Sequence, residues 1–252
     1  MPDVYTDPAD VEWRFVGILR DPNTVPYEYT FTLPRPLADW DVWDYWERER
    51  VHSMRDHLKH GDVLFDVGAE HGWCSLIYAS MVGPENMVLI EPTREFWPNI
   101  RHTWMKNYPC PPRACYDGLF SSVTDEERTA FPVWPAHSDG LLIGNNKYEY
   151  IHQHDQSIKQ ITIDDYVAWT GIVPDALTID VEGAELCVLQ GAHDTLVAHH
   201  PQIWVSIHPD LMERDYGDLP HELYGYLGRR GYTGTHLATD HEQHWHFHLE
   251  QD

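Results

Sequence analysis

Short apolar runs alternate with stretches of helical spacing along most of this chain. Val63, Leu64, Phe65 and Val67 suit a strand over 62–67 buried on both faces of a parallel sheet. The rhythm then predicts a helix at 73–82, a strand at 87–90, a helix at 94–106 and a strand near 113–117. It breaks over 121–160, where FPVWPAHSDG and IGNNKYEY carry proline and turn signals, the pattern of an insertion or lid. Order resumes at ITIDDYVAW, where Asp164 and Asp165 start a short helix. Beyond it lie a strand at 176–180, helices at 184–190 and 193–199 punctuated by Gly191, a strand at 202–207, a helix at 218–229 and closing strands at 232–238 and 244–250. Upstream, 39–59 has helical spacing with Val42, Trp46, Val51, Met54 and Leu58 on one face, and 1–36 is irregular or short-stranded. This is an α/β pattern with a mostly parallel sheet.

The turn after the first strand reads Asp66-x-Gly68-x-x-x-Gly72, and Glu91 closes the next strand. Glycines there let a cofactor approach the backbone where a helix begins. An acidic residue roughly 20 positions beyond such a turn accepts ribose hydroxyls in dinucleotide folds. The glycines do not spell the G-x-G-x-x-G of those folds, which counts against a nicotinamide enzyme.

Composition narrows the classes further. The 252 residues suit a single large domain: an amino-terminal segment and helix over 1–60, a cofactor half over 61–120, the insertion over 121–160 and a catalytic-edge half over 161–252. With 17 basic and 41 acidic residues the formal charge is −24, so a phosphate backbone is repelled and nucleic acid is not an expected partner. No run approaches the roughly 18 apolar residues of a membrane span, and the acidic, proline-broken start is not a signal peptide. Cys74, Cys110, Cys115 and Cys187 form no framework and read as free thiols, Cys74 and Cys187 as core residues, in a reducing, cytoplasmic setting.

Five strings carry a resemblance: FDVGAEHGWCS, VLIEP, ITIDDY, IDVEGAE with VLQGA, and IWVSIHP, together spanning 62–209. They resemble the FkbM-type S-adenosylmethionine (SAM) methyltransferases. The resemblance implies a Rossmann-like class I fold, a seven-stranded mostly parallel sheet with the last strand antiparallel and helices on both faces. It implies SAM as cofactor and oxygen methylation, with the acceptor a hydroxyl of a small molecule, saccharide or glycan. It places Asp66, Gly68, Ala69, Glu70, Gly72 and Trp73 on the SAM loop, Glu91 on the ribose and Asp180 on the catalytic edge. The chain departs from many relatives at Glu70, Thr178 and Ser206, where they carry Asn, Lys and Glu.

An alcohol acceptor needs a base or a metal, because its proton is held tightly at neutral pH. Asp180 and His208 end adjacent predicted strands. In HWHFHL, His244, His246 and His248 share one strand face. With the last strand antiparallel beside the one ending at His208, its start reaches the same edge. Asp180, His208 and His244 are thus candidate catalytic residues and candidate ligands for Mg²⁺ or Mn²⁺. Eighteen histidines also allow chance alternation on a solvated face. Glu182 doubles as a first-turn carboxylate. His152, His154 and Asp155 form a weaker ligand set, and Trp40, Trp43, Trp46, Trp97, Trp104 and Trp134 flank the site in sequence, either as sugar-stacking faces or as core. A NAD-dependent sugar-modifying enzyme and a non-catalytic binding module of the same fold are the competing readings.

Overall fold

The computed structural model describes residues 4–6, 11–19, 28–39, 45, 47–125, 131, 133–135, 141–143 and 158–249. Seven strands form the central sheet: β1 (Leu64–Val67), β2 (Met87–Ile90), β3 (Ala114–Tyr116), β4 (Ala176–Ile179), β5 (Gln202–Ile207), β6 (Tyr232–Thr239) and β7 (Gln243–Leu249). Their order is β6-β7-β5-β4-β1-β2-β3. The strands β5, β4, β1, β2 and β3 are parallel, and β7 is antiparallel to both β5 and β6. This is the class I methyltransferase arrangement that the resemblance implies.

The helices are α1 (Arg48–His57), α2 (Trp73–Val82), α3 (Trp97–Asn107), α4 (Ile163–Thr170), α5 (Glu185–Gln190), α6 (His193–His199) and α7 (Pro220–Gly228). One sheet face carries Leu64, Leu89, Ala176 and Trp204 into a core with α1, α2 and α3; the other carries Phe65, Val67, Leu177 and Val205 into a core with α4, α5, α6 and α7. Burial on both faces is why β1, β2 and β4 read as apolar runs without alternation. Thr162 caps α4 by accepting the Asp165 N–H at 3.0 Å, and Gly171, at φ +67°, ends it.

Two details differ from the sequence reading, and a third point it left open is decided. The helix expected at 94–106 is a 3₁₀ turn, Arg94–Phe96, followed by α3, because Pro98 favours a fresh helix start. Cys115, on β3, is the fully buried thiol, whereas Cys74 and Cys187 are only half-buried; all four are free. Trp97 and Trp104 are fully buried core residues and offer no open sugar-stacking face, while the partly buried Trp134 packs against the same core. Val42, Trp40, Trp43, Trp46, His152, His154 and Asp155 lie outside the described residues, as does most of 121–160. Within that stretch 141–143 pairs antiparallel with 4–6, and 160–161 pairs parallel with 119–120. No helix among the described residues is long and apolar enough to cross a membrane.

Below the site, His246 stacks on Trp204 with ring centroids 4.2 Å apart and meets His57 at 4.6 Å. Burial, with His57 and His248 beside it, pushes the His246 imidazole down to about 3. A base depressed in the fold contributes stability that is whole above its unfolded value, near 6.5, and is lost as the pH falls toward 3. Urea unfolding at pH 7 and pH 4.5 is therefore expected to reveal an acid loss of about 1–2 kcal/mol that His246→Phe, which keeps the stack, removes. Equal losses in both proteins would refute this.

Candidate active site

The turn after β1 is built by backbone. Gly68 and Ala69 both donate to the Ile90 carbonyl at 3.0 Å, and Gly72 donates to the Ala69 carbonyl at 2.7 Å. Gly68 has φ +95°, and a Cβ on it would lie 1.8 Å from the Asp180 carbonyl oxygen; one on Gly72, at φ +78°, would press on Ile100. Both glycines are thus required by protein packing: the first lets the β1 turn touch the end of β4, the second lets α2 start against α3.

Glu91 ends β2, buried, and each carboxylate oxygen takes one backbone amide: Oε2 from Glu70 at 2.8 Å, Oε1 from Thr93 at 2.7 Å. Burial raises its carboxyl to about 7, with the Thr93 bonds and the Glu70 amide opposing. Each oxygen keeps a lone pair for a ribose hydroxyl. Asp66 is also buried, accepts the Ser75 hydroxyl, and is raised to about 7 by burial. A cleft opens over the strand ends, lined on the β2–β3 side by Ile90, Phe96, Leu119 and Phe120, then by Glu91, Gly68, Ala69, Glu70, Trp73 and Asp66, and on the far side by Asp180, Glu182, Tyr216, His241 and Glu242. An apolar slot, a buried carboxylate with spare lone pairs and an acidic far end fit an adenosine bearing a cationic tail.

At the far end the structure brings Asp180 and His208 together. His208 Nε2 lies 3.8 Å from Asp180 Oδ1, 3.6 Å from Glu182 Oε2 and 2.6 Å from Glu242 Oε2, while Nδ1 donates to Glu185 Oε1 at 2.8 Å. Burial opposes a charge on this ring, but the hydrogen bonds to Glu185 and Glu242 and the Asp180 charge outweigh it, raising His208 to about 11. An imidazolium cannot act as a base, so His208 becomes a ligand only where a cation takes the place of its proton. Oε2 of the fully buried Glu185 has no hydrogen-bond partner. One ligand atom each from Asp180, His208 and Glu242 lie within 4.8 Å of one another, a carboxylate–imidazole set able to hold a hard divalent ion.

His244 is not the third member of this set. It is buried on β7 facing Ser206, whose hydroxyl is 3.2 Å from its Nδ1, and its Nε2 points at Asp240 and Glu242, at 3.4 and 3.5 Å. The register explains the substitution: β5 and β7 pair Ser206 with His244 and Ile207 with Gln243, so the position opposite His208 belongs to Glu242, in the turn before β7. An antiparallel last strand does bring its start to the catalytic edge, two residues earlier than the alternating histidines suggest.

Sequence reasoning also missed Arg50, on α1. Its guanidinium is buried, with Nη1 donating to Glu47 at 2.9 Å, to Ser206 at 2.8 Å and toward Asp180 Oδ2 at 3.4 Å, and Nη2 donating to Thr178. Thr178 and Ser206 are two of the three positions at which the resemblance implies a departure from the family pattern. Their small hydroxyl side chains leave the space that Arg50 enters. The third departure, Glu70, stands at the turn with φ +48° and lines the cleft.

The family model for the methyltransferase FkbM domain matches residues 66–233. Among solved structures the chain is similar to a methyltransferase FkbM from Methylobacillus flagellatus KT, 18% identical with a TM-score of 0.49, over 75% of this chain and 44% of that one. It is similar to a precorrin-6y C5,15-methyltransferase from Geobacter metallireducens GS-15, 11% identical, TM-score 0.45, over 81% and 88%. It is similar to M. jannaschii TYW2 in complex with AdoMet, 12% identical, TM-score 0.43, over 90% and 85%. The chain thus spans less than half the length of the Methylobacillus protein. No curated protein matches it.

Proposed function

Because the chain belongs to the FkbM family of SAM-dependent methyltransferases, we propose that it methylates a hydroxyl oxygen of a saccharide or glycan, with a divalent metal held by Asp180, His208 and Glu242. The observation that carries this reading is the carboxylate–imidazole set on the wall of the cofactor cleft, at the carboxyl edge of the sheet where α/β folds do their chemistry.

SAM supplies a methyl already activated on a sulfonium, so the protein's task is alignment, exclusion of water and removal of the acceptor's proton. Glu91, with a lone pair spare on each oxygen, would hold the ribose, and the backbone of the β1 turn would border the rest of the cofactor. Asp180, His208 and Glu242 would hold the divalent ion, which would supply a Lewis acid able to make an alcohol more acidic. Arg50 fixes Asp180 through Oδ2 and leaves Oδ1 turned toward His208 and the cleft. Glu182, half-exposed at the rim with its carboxyl raised by burial, is placed to receive the acceptor's proton. Tyr216 and His241 border the same opening, and aromatic faces beside carboxylates suit the C–H faces and hydroxyls of a sugar.

The test is a screen of mono- and oligosaccharides with methyl-labelled SAM. Transfer of label to a sugar hydroxyl is expected, abolished by EDTA and restored by Mg²⁺ or Mn²⁺. Absence of any affinity for SAM or S-adenosylhomocysteine overturns the whole reading; full activity after chelation overturns the metal. Unchanged turnover in Asp180→Asn and Glu242→Gln removes the site assignment.

A further inference from the structure

Helix α1 and the residue that leads into it lie outside the 66–233 match, yet two of their side chains reach the cofactor cleft. Glu47 enters the helix at φ +47°, a conformation costly for a side chain other than glycine's, and this buried residue lines the cleft. It accepts from Arg50 at 2.9 Å and from the Tyr78 hydroxyl at 3.4 Å. Arg50 is the only Lys or Arg among the described residues of the cleft wall, and its Nε–H has no hydrogen-bond partner.

The cleft is polarised end to end. The apolar slot formed by Ile90, Phe96, Leu119 and Phe120 lies beyond Glu91, on the β2–β3 side, and suits an adenine. β1 lies between β2, which Glu91 ends, and β4, against whose Thr178 and Asp180 Arg50 packs, so a 5′ substituent running across β1 from a ribose on Glu91 would meet Glu47, Arg50 and Asp180. In SAM that substituent is a sulfonium bearing a zwitterionic amino acid. A buried carboxylate and guanidinium side by side are complementary to an ammonium and a carboxylate. The excess carboxylate, Glu47 and Asp180 against Arg50, matches the additional positive charge of the sulfonium.

We propose that Glu47 and Arg50 form the receptor for the amino-acid end of the cofactor, Glu47 taking its ammonium and Arg50 its carboxylate. The amino-terminal helix thereby completes a cofactor site whose adenosine half lies within the matched region. This inference rests on the SAM reading above.

Two ligands isolate the tail. S-adenosylhomocysteine and 5′-methylthioadenosine are both thioethers without the sulfonium charge, and the amino-acid portion is what separates them. In calorimetry the native protein is expected to bind the first at least about tenfold more tightly, the size of one charge-assisted hydrogen bond. Glu47→Gln, isosteric and hydrogen-bonding, and Arg50→Gln should each bring S-adenosylhomocysteine down by about tenfold or more and leave 5′-methylthioadenosine within about twofold. Arg50→Lys, keeping charge without the fork, should recover part of the loss. Variants that weaken both ligands equally, or neither, overturn the proposal, since a merely structural role moves both together. Native protein that binds the two ligands equally also overturns it. Native protein that binds neither, nor SAM, overturns the SAM reading and the proposal with it.

Discussion

Glu91→Ala is expected to weaken SAM binding by at least about 10²-fold. Two ribose hydroxyls donating to a buried carboxylate are each worth about 1.5–3 kcal/mol. Truncation also leaves the Glu70 and Thr93 amides without the acceptor they now share, so the turn that presents the cofactor loosens as well. The effect carries a pH signature. The Glu91 carboxyl is raised to about 7 by burial, so it is protonated below that pH and accepts hydrogen bonds poorly. Affinity for SAM should therefore rise as the pH increases through about 7. Glu91→Gln, which cannot ionise, should bind weakly with no such rise. Calorimetry across pH 5.5–8.5 reads both; an unchanged affinity in Glu91→Ala rules out this carboxylate as the ribose acceptor.

The second large effect is on stability. Gly68→Ala adds a methyl group 1.8 Å from the Asp180 carbonyl oxygen at a φ of +95°. The obstacle is backbone on the neighbouring strand, so no rotamer relieves it. Left-handed strain of about 1–2 kcal/mol and overpacking of about 1–3 kcal/mol act together. At roughly 2–4 °C per kcal/mol for a chain of this size, the unfolding midpoint should fall by about 10 °C. Gly171→Ala is the control: its φ is +67°, but its added methyl meets nothing within 4 Å. It should show the strain alone, a drop of a few degrees, and equal drops in the two variants would refute the steric account.

Much of the fold is legible locally. β2 and β5 fall on the residues that their apolar runs predict, and α2 begins at Trp73 and ends at Val82 as its pattern requires. Burial on both faces leaves a continuous apolar string that needs no partner to be recognised. The turn proposed for the cofactor is legible for the same reason: Asp66, Gly68 and Glu91 belong to short strings whose geometry lies in their own turn and strand ends. The glycines look in sequence like openings for a ligand, whereas packing against Asp180 and Ile100 is what demands them. The tryptophans are harder. An aromatic near the site in sequence and one buried in the core have the same letter, and only the side of the sheet separates them.

For the acceptor half, the chain's own pattern places Asp180 and His208 at the ends of neighbouring strands, since strand order follows from the fold class. It does not choose between His244 and Glu242, because one residue of register moves each side chain to the opposite face and two move it along the edge. The β5–β7 pairing, made by residues some forty positions apart, settles that Glu242 meets His208. Arg50 is still further from view: on a helix it reads as a surface charge, and only the packing of α1 over Thr178 and Ser206 buries it against Asp180. Local hydrogen bonding and burial are written in consecutive residues, so the sequence determined most of the sheet's strands, most of the helices and the glycine turn after β1. Contacts between distant segments depend on register and helix docking, and the tertiary structure alone decided which side chains surround the reacting end of the cleft.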